Sequence, residues 1–200
     1  MFKKIAFVAI LLASAAFAQI NIGEHGAFTF GTVWGEHTNE SHWGAGFAAG
    51  LDFKAHVDKK LSFVAELEVD YRRMTHEYSD GHDNFDYTNF FWYLRLPAMG
   101  RFYLDQQLFG ELGVTLAVRL SSGNMMEYNE DEVDSYTVVY HDDKAMNRFE
   151  VGFIAGIGFA ITPKLDLNIR YAMGFIDMAS KGNGASKNMR FQTGLTYWLI

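Results

Sequence analysis

The chain has 200 residues, of which 24 are acidic and 17 basic, and it carries a formal net charge of -7 with no cysteine. An acidic chain without a Lys/Arg cluster is a poor partner for nucleic acid, and the lack of cysteine excludes disulfides, thiolate metal sites and a lipidated N-terminal cysteine. Aromatic residues at 16% and only two prolines indicate extensive β-structure.

The N-terminus has the features of a secretory signal peptide. Two lysines precede an apolar run from Ile5 to Leu12, and small residues at Ala16 and Ala18 frame a cleavage site. The run is too short for a spanning helix, although an uncleaved anchor is the alternative interpretation. We therefore expect a signal peptide at 1–18 and a single domain at 19–200.

Beyond the signal peptide, apolar and polar residues alternate with the period of β-strands. The clearest case is Leu61–Arg72, in which Leu67 and Val69 share one face while Glu66, Glu68 and Asp70 share the other. Eight such segments follow one another. They are His25–Trp34, His42–Val57, Leu61–Met74, Tyr87–Leu104, Gln107–Leu120, Asn147–Ile161, Leu165–Met178 and Lys187–Ile200.

The connections between these strands alternate between long and short, which is typical of an up-and-down barrel. A soluble barrel would turn its apolar face inward, but three features favour a membrane barrel. The polar face is rich in glycine, the apolar face extends over about ten residues per strand, and aromatic residues recur near the strand ends. We predict an all-β, eight-stranded antiparallel transmembrane β-barrel of the outer membrane, with its long loops outside and both termini in the periplasm.

With that orientation, charged residues point into the lumen from most strands. An eight-stranded barrel is only wide enough to be filled by side chains, so these groups should pair and plug it. A gated ion path or proton relay is the functional alternative. The predicted interior network consists of the acids Asp52, Glu66, Glu68, Asp70, Glu111, Glu150 and Asp166 and the bases Lys54, Arg72, Arg95, Arg101, Arg119, Arg170 and Arg190.

The fourth strand carries a motif that resembles a known family. Tyr93-Leu94-Arg95-Leu96-Pro97, followed by Phe102-Tyr103, is similar to the PorT-like outer membrane protein beta-barrel domain family, which resembles the OmpA/OmpX group of small barrels. Glycine patterns at 110–113 and 152–158 agree with it. The last strand resembles the signal read by the barrel assembly machinery, but it ends in Ile200 instead of an aromatic residue. The resemblance implies fold and location, and little about activity.

The third long loop, 121–146, is acidic. Its segment Ser135–Tyr140 has strand propensity, so the adjoining strands are expected to extend as a hairpin whose edge could pair with a partner. A solvated loop without a partner is the alternative.

The loops contain residues that suit two kinds of chemistry. Five histidines could converge at the mouth to bind a transition metal, but no pair has a diagnostic ligand spacing. Ser79 lies near His76 without a surrounding catalytic motif. No catalytic residue, cofactor or resident metal is therefore predicted. The five histidines are His37, His42, His76, His82 and His141.

The predicted function is that of a non-enzymatic outer membrane barrel with a plugged interior and a structural or surface-interaction role. A narrow porin-like channel for ions or small solutes is the alternative, and a lipid-modifying enzyme is a remote one. The expected partners are outer membrane lipids, the assembly machinery during biogenesis and an extracellular ligand or protein bound by the loops. We expect a monomer.

Overall fold

The computed structural model describes residues 20–35, 43–79, 84–128, 137–140, 147–176 and 186–199. The predicted signal peptide lies outside these ranges. Within them, no helix combines the length and apolarity needed to span a membrane. The described strands are β1 Ile20–Gly35, β2 Gly44–His56, β3 Leu61–Ser79, β4 Asn84–Tyr103, β5 Leu108–Tyr128, β6 Thr137–Tyr140, β7 Phe149–Thr162, β8 Leu165–Gly174 and β9 Ser186–Trp198.

The strands form one sheet that closes on itself. Its order is β4-β3-β2-β1-β9-β8-β7-β5-β6, and an additional β4–β5 pairing joins the two sides. All the pairings are antiparallel. Eight strands therefore make a closed ring, and β6 stands outside it beside β5. The predicted all-β, eight-stranded antiparallel barrel is confirmed.

Side chains alternate between the lumen and the outer face along each strand. In β3, Glu66, Glu68 and Asp70 are buried inside, whereas Leu67 and Val69 are 41% and 39% exposed on the outside. Exposed apolar side chains on this scale are stable only against lipid, because water would not solvate them. The outer face is thus the membrane face.

Some strands are longer than the sequence pattern indicated. β1 begins at Ile20 rather than His25, because its first residues pair with β2 and β9 even though Glu24 and Gly26 interrupt the outward apolar pattern. At the other end of the barrel, β3 continues to Ser79 and β5 to Tyr128. Hydrogen bonding to neighbouring strands thus extends these strands beyond the residues in which apolar and polar side chains alternate.

These extensions form a sheet that continues beyond the ring, here named the raised sheet: residues 75–79 of β3, 84–88 of β4, 124–128 of β5 and all of β6. Ser79 pairs with Asn84, and Phe85 pairs with Tyr128. β6 pairs with β5 from Thr137 to Tyr140, within the predicted segment Ser135–Tyr140. The register of β2 with β3 stops at Arg72, so among the described residues the raised sheet lies on the side of the barrel formed by β3, β4 and β5.

Short turns close the opposite end, here called the turn end, in contrast to the loop end. Asp58 Oδ1 accepts hydrogen bonds from the backbone N–H groups of Lys60 and Leu61, at 2.6 and 2.8 Å. Asp105 Oδ1 does the same with Leu108 and Gln107, at 2.6 and 2.7 Å. These two bonds, with that from Leu108 the stronger, lower the pKa of the exposed Asp105 carboxyl. Aspartate thus fixes both turns through its own side chain.

Inward glycines make room for large side chains in the lumen. A Cβ added at Gly158 would lie 2.2 Å from the Phe109 ring, and Phe109 is fully buried. Gly26 faces the membrane, and a Cβ there would meet no heavy atom within 4 Å. The same residue type therefore has a packing role at one position and none at the other.

We predict that Gly158→Ala lowers the free energy of unfolding by about 1–3 kcal/mol, because the new methyl overpacks the Phe109 ring. Gly26→Ala is the matched control and should differ little from the parent. Urea unfolding of the refolded barrel, followed by tryptophan fluorescence, measures both. Equal stabilities of the two variants would show that Phe109 moves aside without cost.

Candidate functional site: the interior charge network

The lumen holds all fourteen predicted interior residues, seven acids and seven bases, in the buried state. They come from seven strands of the ring. The structure adds a buried histidine that the sequence analysis did not include, His25 of β1, which is 7% exposed. The network can be followed in three levels from the turn end to the loop end.

The first level centres on Arg101 of β4. Its Nη1 donates to Asp166 Oδ2 at 2.6 Å and its Nε donates to Glu111 Oε1 at 2.9 Å. Trp198 Nε1 donates to the same Asp166 oxygen at 2.8 Å. One guanidinium therefore neutralises two carboxylates from different strands, which its planar fork of donors permits.

The second level joins opposite walls of the barrel. Arg170 of β8 donates from Nε to Glu111 Oε2 at 2.7 Å and from Nη1 to Glu66 Oε2 at 3.0 Å. Arg190 of β9 donates to Glu68 Oε1 at 2.7 Å. Since Glu66 and Glu68 belong to β3, these ion pairs bridge the lumen.

His25 lies among the carboxylates of this level. Its Nδ1 is hydrogen-bonded to Asp52, and its Nε2 lies 3.4 Å from Glu68 Oε2. Thr196 Oγ1 also donates to Asp52, at 2.9 Å. An imidazole with a carboxylate beside each nitrogen is best satisfied as the imidazolium, in which both nitrogens carry hydrogen. His25 thus places one ring nitrogen beside each of these two carboxylates.

The third level centres on Asp70 and Glu150. Arg95 donates from Nε to Asp70 Oδ2 and from Nη1 to Glu150 Oε1, both at 2.8 Å. Arg72 donates to Asp70 Oδ2 at 2.8 and 2.9 Å and is also hydrogen-bonded to Asn188. Asn188 Nδ2 donates to Glu150 at 2.6 Å. Asp70 therefore accepts hydrogen bonds from two guanidiniums, of which that of Arg95 also binds Glu150.

Aromatic rings pack against the cations at both ends of the network. Toward the turn end, Arg101 Cζ lies 3.9 Å from the Phe109 ring centre, and Lys54 Nζ lies 3.8 Å from that of Trp198. Toward the loop end, Arg95 Cζ lies 4.9 Å from the Tyr93 ring centre. Ring faces attract cations. The contacts therefore stabilise Arg101 and Lys54 toward the turn end of the lumen and Arg95 toward the loop end.

Apolar residues also enter the lumen, where the sequence analysis placed charged residues and glycine. Two buried clusters lie beside the charges. One consists of Val64, Met99, Ile154 and Ala172, and the other of Met74, Phe91, Tyr93 and Ala117.

One group of metal-ligating residue types comes together inside the barrel: His25, Asp52 and Glu66 each offer an atom within 4.8 Å of the others. All three also have partners within the protein. His25 contacts Asp52, and Arg170 Nη2 lies 2.8 Å from Glu66 Oε1. A metal would have to replace these ion pairs, so the geometry favours charge pairing.

The chemistry considered in the loops falls outside this description. His37, His42, His82 and His141 lie outside the described residues, and the side chains of His76 and Ser79 are likewise not described. The metal and nucleophile hypotheses for the loops therefore stay untested predictions.

The family to which the chain is matched agrees with the architecture. The profile of a family described as outer membrane protein beta-barrel domain matches residues 17–180. Comparison with curated proteins gives no match. The crystal structure of Neisserial surface protein A (NspA) is similar at 15% identity and a TM-score of 0.49, over 88% of this chain and 96% of that one.

Two further solved structures are similar. Ail, the attachment invasion locus protein of Yersinia pestis, in complex with the heparin analogue sucrose octasulfate, has 13% identity and a TM-score of 0.49 over 90% of this chain and 99% of that one. The outer membrane protease OmpT from Escherichia coli has 12% identity and a TM-score of 0.39 over 91% and 96%.

We predict that Arg95→Ala lowers the free energy of unfolding by about 3–5 kcal/mol, because it leaves Glu150 and one side of Asp70 buried without their guanidinium. Adding Glu150→Gln should recover part of the loss, since the stranded charge is then removed. Lys59→Ala, at an exposed turn, is the control. An unchanged midpoint of urea unfolding for Arg95→Ala would contradict a stabilising network.

Proposed function

The chain belongs to the outer membrane protein beta-barrel domain family and is an integral β-barrel of the outer membrane, and from that premise we propose that it is a non-conducting, non-enzymatic surface barrel. Its ion-paired interior closes the lumen, and its raised sheet faces the outside of the cell as an interaction surface. The observation that carries the proposal is the charge pairing that fills the barrel from Asp166 to Glu150.

Closure is supported by the way in which arginines cross the lumen. Arg170 reaches from β8 to Glu66 on β3, and Arg95 reaches from β4 to Glu150 on β7. Each of these side chains is buried and bonded at its far end, so moving it would leave buried charges without partners. Such a rearrangement costs several kcal/mol, which favours a plug over a path for ions.

The surface role is supported by the raised sheet. β6 ends the sheet order and pairs with β5 alone among the described strands, so its other edge offers backbone groups to an added strand. The connecting sequence 127–143 holds seven acidic residues and no lysine or arginine. A partner that adds a strand there should carry basic side chains, because like charges at a shared edge repel.

Orientation can be tested with single cysteines, because the chain has none of its own. We predict that Asp131→Cys, between β5 and β6, reacts with a membrane-impermeant maleimide on intact cells. Lys59→Cys, in a turn at the other end, should react only after the outer membrane is permeabilised. Labelling in the reverse order would place the raised sheet in the periplasm and overturn the proposed surface role.

Conductance tests closure. In planar bilayers, the refolded parent should give no steady current, because guanidinium groups fill the lumen. The positive control is Arg101→Ala combined with Arg170→Ala, which removes two side chains that cross the lumen and should give current steps. Migration on unheated gels shows that both proteins are folded. Steady, salt-dependent current from the folded parent would instead support the narrow porin-like channel.

A further inference from the structure

The membrane face carries few charged side chains, and its acidic and basic residues lie toward opposite ends of the barrel. Among strand residues with described side chains, that face carries Glu24 toward the turn end and Arg73 and Lys187 toward the loop end. The whole chain has more acids than bases, so two outward bases at one end run against the composition. Their position therefore points to an anion at that end.

On the same outer face, an aromatic cluster lies on the turn-end side of each of the two bases. Arg73 follows Tyr71 by one outward position on β3, and the Tyr71 ring packs against Phe47 and Trp92 at 5.3 and 4.9 Å between centres. On the β9 side, Phe191 packs against Tyr171 at 5.0 Å. Clustered aromatic rings mark the level at which lipid tails give way to headgroups.

Two tryptophans lie on the strands between these bases. The sheet order runs β3-β2-β1-β9, and Trp43, just before β2, and Trp34 of β1 are 52% and 57% exposed. Trp34 is the register partner of Lys187, and the Trp43 ring lies 5.7 Å from Phe191. One outward surface thus extends across four adjacent strands and is here named the interfacial patch. It consists of Arg73, Trp43, Trp34 and Lys187.

The energetics fix the level of the interfacial patch in the membrane. A lipid-facing Arg or Lys costs about 2–4 kcal/mol at the bilayer midplane and about 0–1 kcal/mol near the interface. Arg73 is exposed and Lys187 is half-buried, so both must lie at headgroup depth. The anions at that depth are phosphate groups, which the guanidinium fork and the ammonium both bind.

We infer that the interfacial patch binds the phosphate groups of the phosphorylated glycolipid of the outer leaflet, with Arg73 and Lys187 as the phosphate ligands and the two tryptophans against its sugar and acyl regions. The inference rests on the proposed orientation, which directs the loop end to that leaflet. It extends the partner from membrane lipid in general to one headgroup chemistry and two binding residues.

The test titrates purified lipopolysaccharide into the detergent-folded protein and follows tryptophan fluorescence. Arg73→Gln combined with Lys187→Gln should weaken binding roughly 30-fold, since each basic residue near an anionic surface contributes a factor of about five. Lys59→Gln combined with Lys60→Gln removes the same charge at the turn end and should bind like the parent.

Two further arms identify the ligand. Dephosphorylated lipopolysaccharide should bind the parent as weakly as intact lipopolysaccharide binds the double variant. Inorganic phosphate should give no saturable change, and a saturable response to it would replace the lipid site with a site for free phosphate. Equal affinity of parent and Arg73/Lys187 variant would overturn the inference. Detergent micelles impose no membrane orientation on the protein. The lipopolysaccharide titration and the cysteine labelling can therefore each fail without the other failing.

Discussion

Charge compensation in a narrow, membrane-enclosed lumen is the constraint on which the rest of this structure depends. Buried carboxylates in a barrel of this size cannot be left to bulk water, so each requires a cation within the barrel. β3 concentrates the problem, because Glu66, Glu68 and Asp70 follow one another on its inner face. Arginines from β4, β8 and β9 form ion pairs with these three carboxylates. The sheet is therefore closed around its circumference by backbone pairing and tied across its lumen by ion pairs.

A large side chain can enter the lumen only where the neighbouring strand leaves space for it. Gly156 lies on β7 beside Arg170, and a Cβ there would come within 2.7 Å of the Arg170 Cγ. At Gly158 the same strand leaves room for the Phe109 ring, against which Arg101 packs. The glycines of β7 and the arginines of its neighbours thus belong to one packing solution. Neither would be accommodated without the other.

The sequence is sufficient to predict features that depend on the period of two, and insufficient for those that depend on strand stagger. Alternation in Leu61–Arg72 assigns the inner face of β3 directly. It does not show that Arg170 meets Glu66 or that Arg190 meets Glu68, since these pairings depend on how far each strand is shifted against the next. A whole-barrel property of this kind has no local sequence signal.

His25 and the apolar interior were missed for a related reason. Glu24 and Gly26, on the outer face beside His25, break the apolar alternation that identifies a membrane strand. The inward position of His25 followed only from the outward residues Phe28, Phe30 and Trp34 further along β1, and its contact with Asp52 depends on the register with β2. Val64 and Ile154 resemble lipid-facing residues in type, and only their parity within β3 and β7 directs them inward. The signal available for both cases was the position of each residue relative to the outward apolar residues of its own strand.

The distribution of charge also separates the part of the barrel that maintains the fold from the part available for interaction. Inside, Arg72, Arg95, Arg101, Arg170 and Arg190 pair with buried carboxylates, so removing one of them leaves a buried partner without its cation. Groups so engaged are poorly suited to bind a transient ligand, because binding would first have to break an ion pair. The raised sheet and the interfacial patch lie outside this interior network, so binding there does not require an interior ion pair to break. Interaction in this protein is therefore expected at its loop end, where β6 has one unpaired edge among the described strands and where we infer that Arg73 and Lys187 bind lipid headgroups.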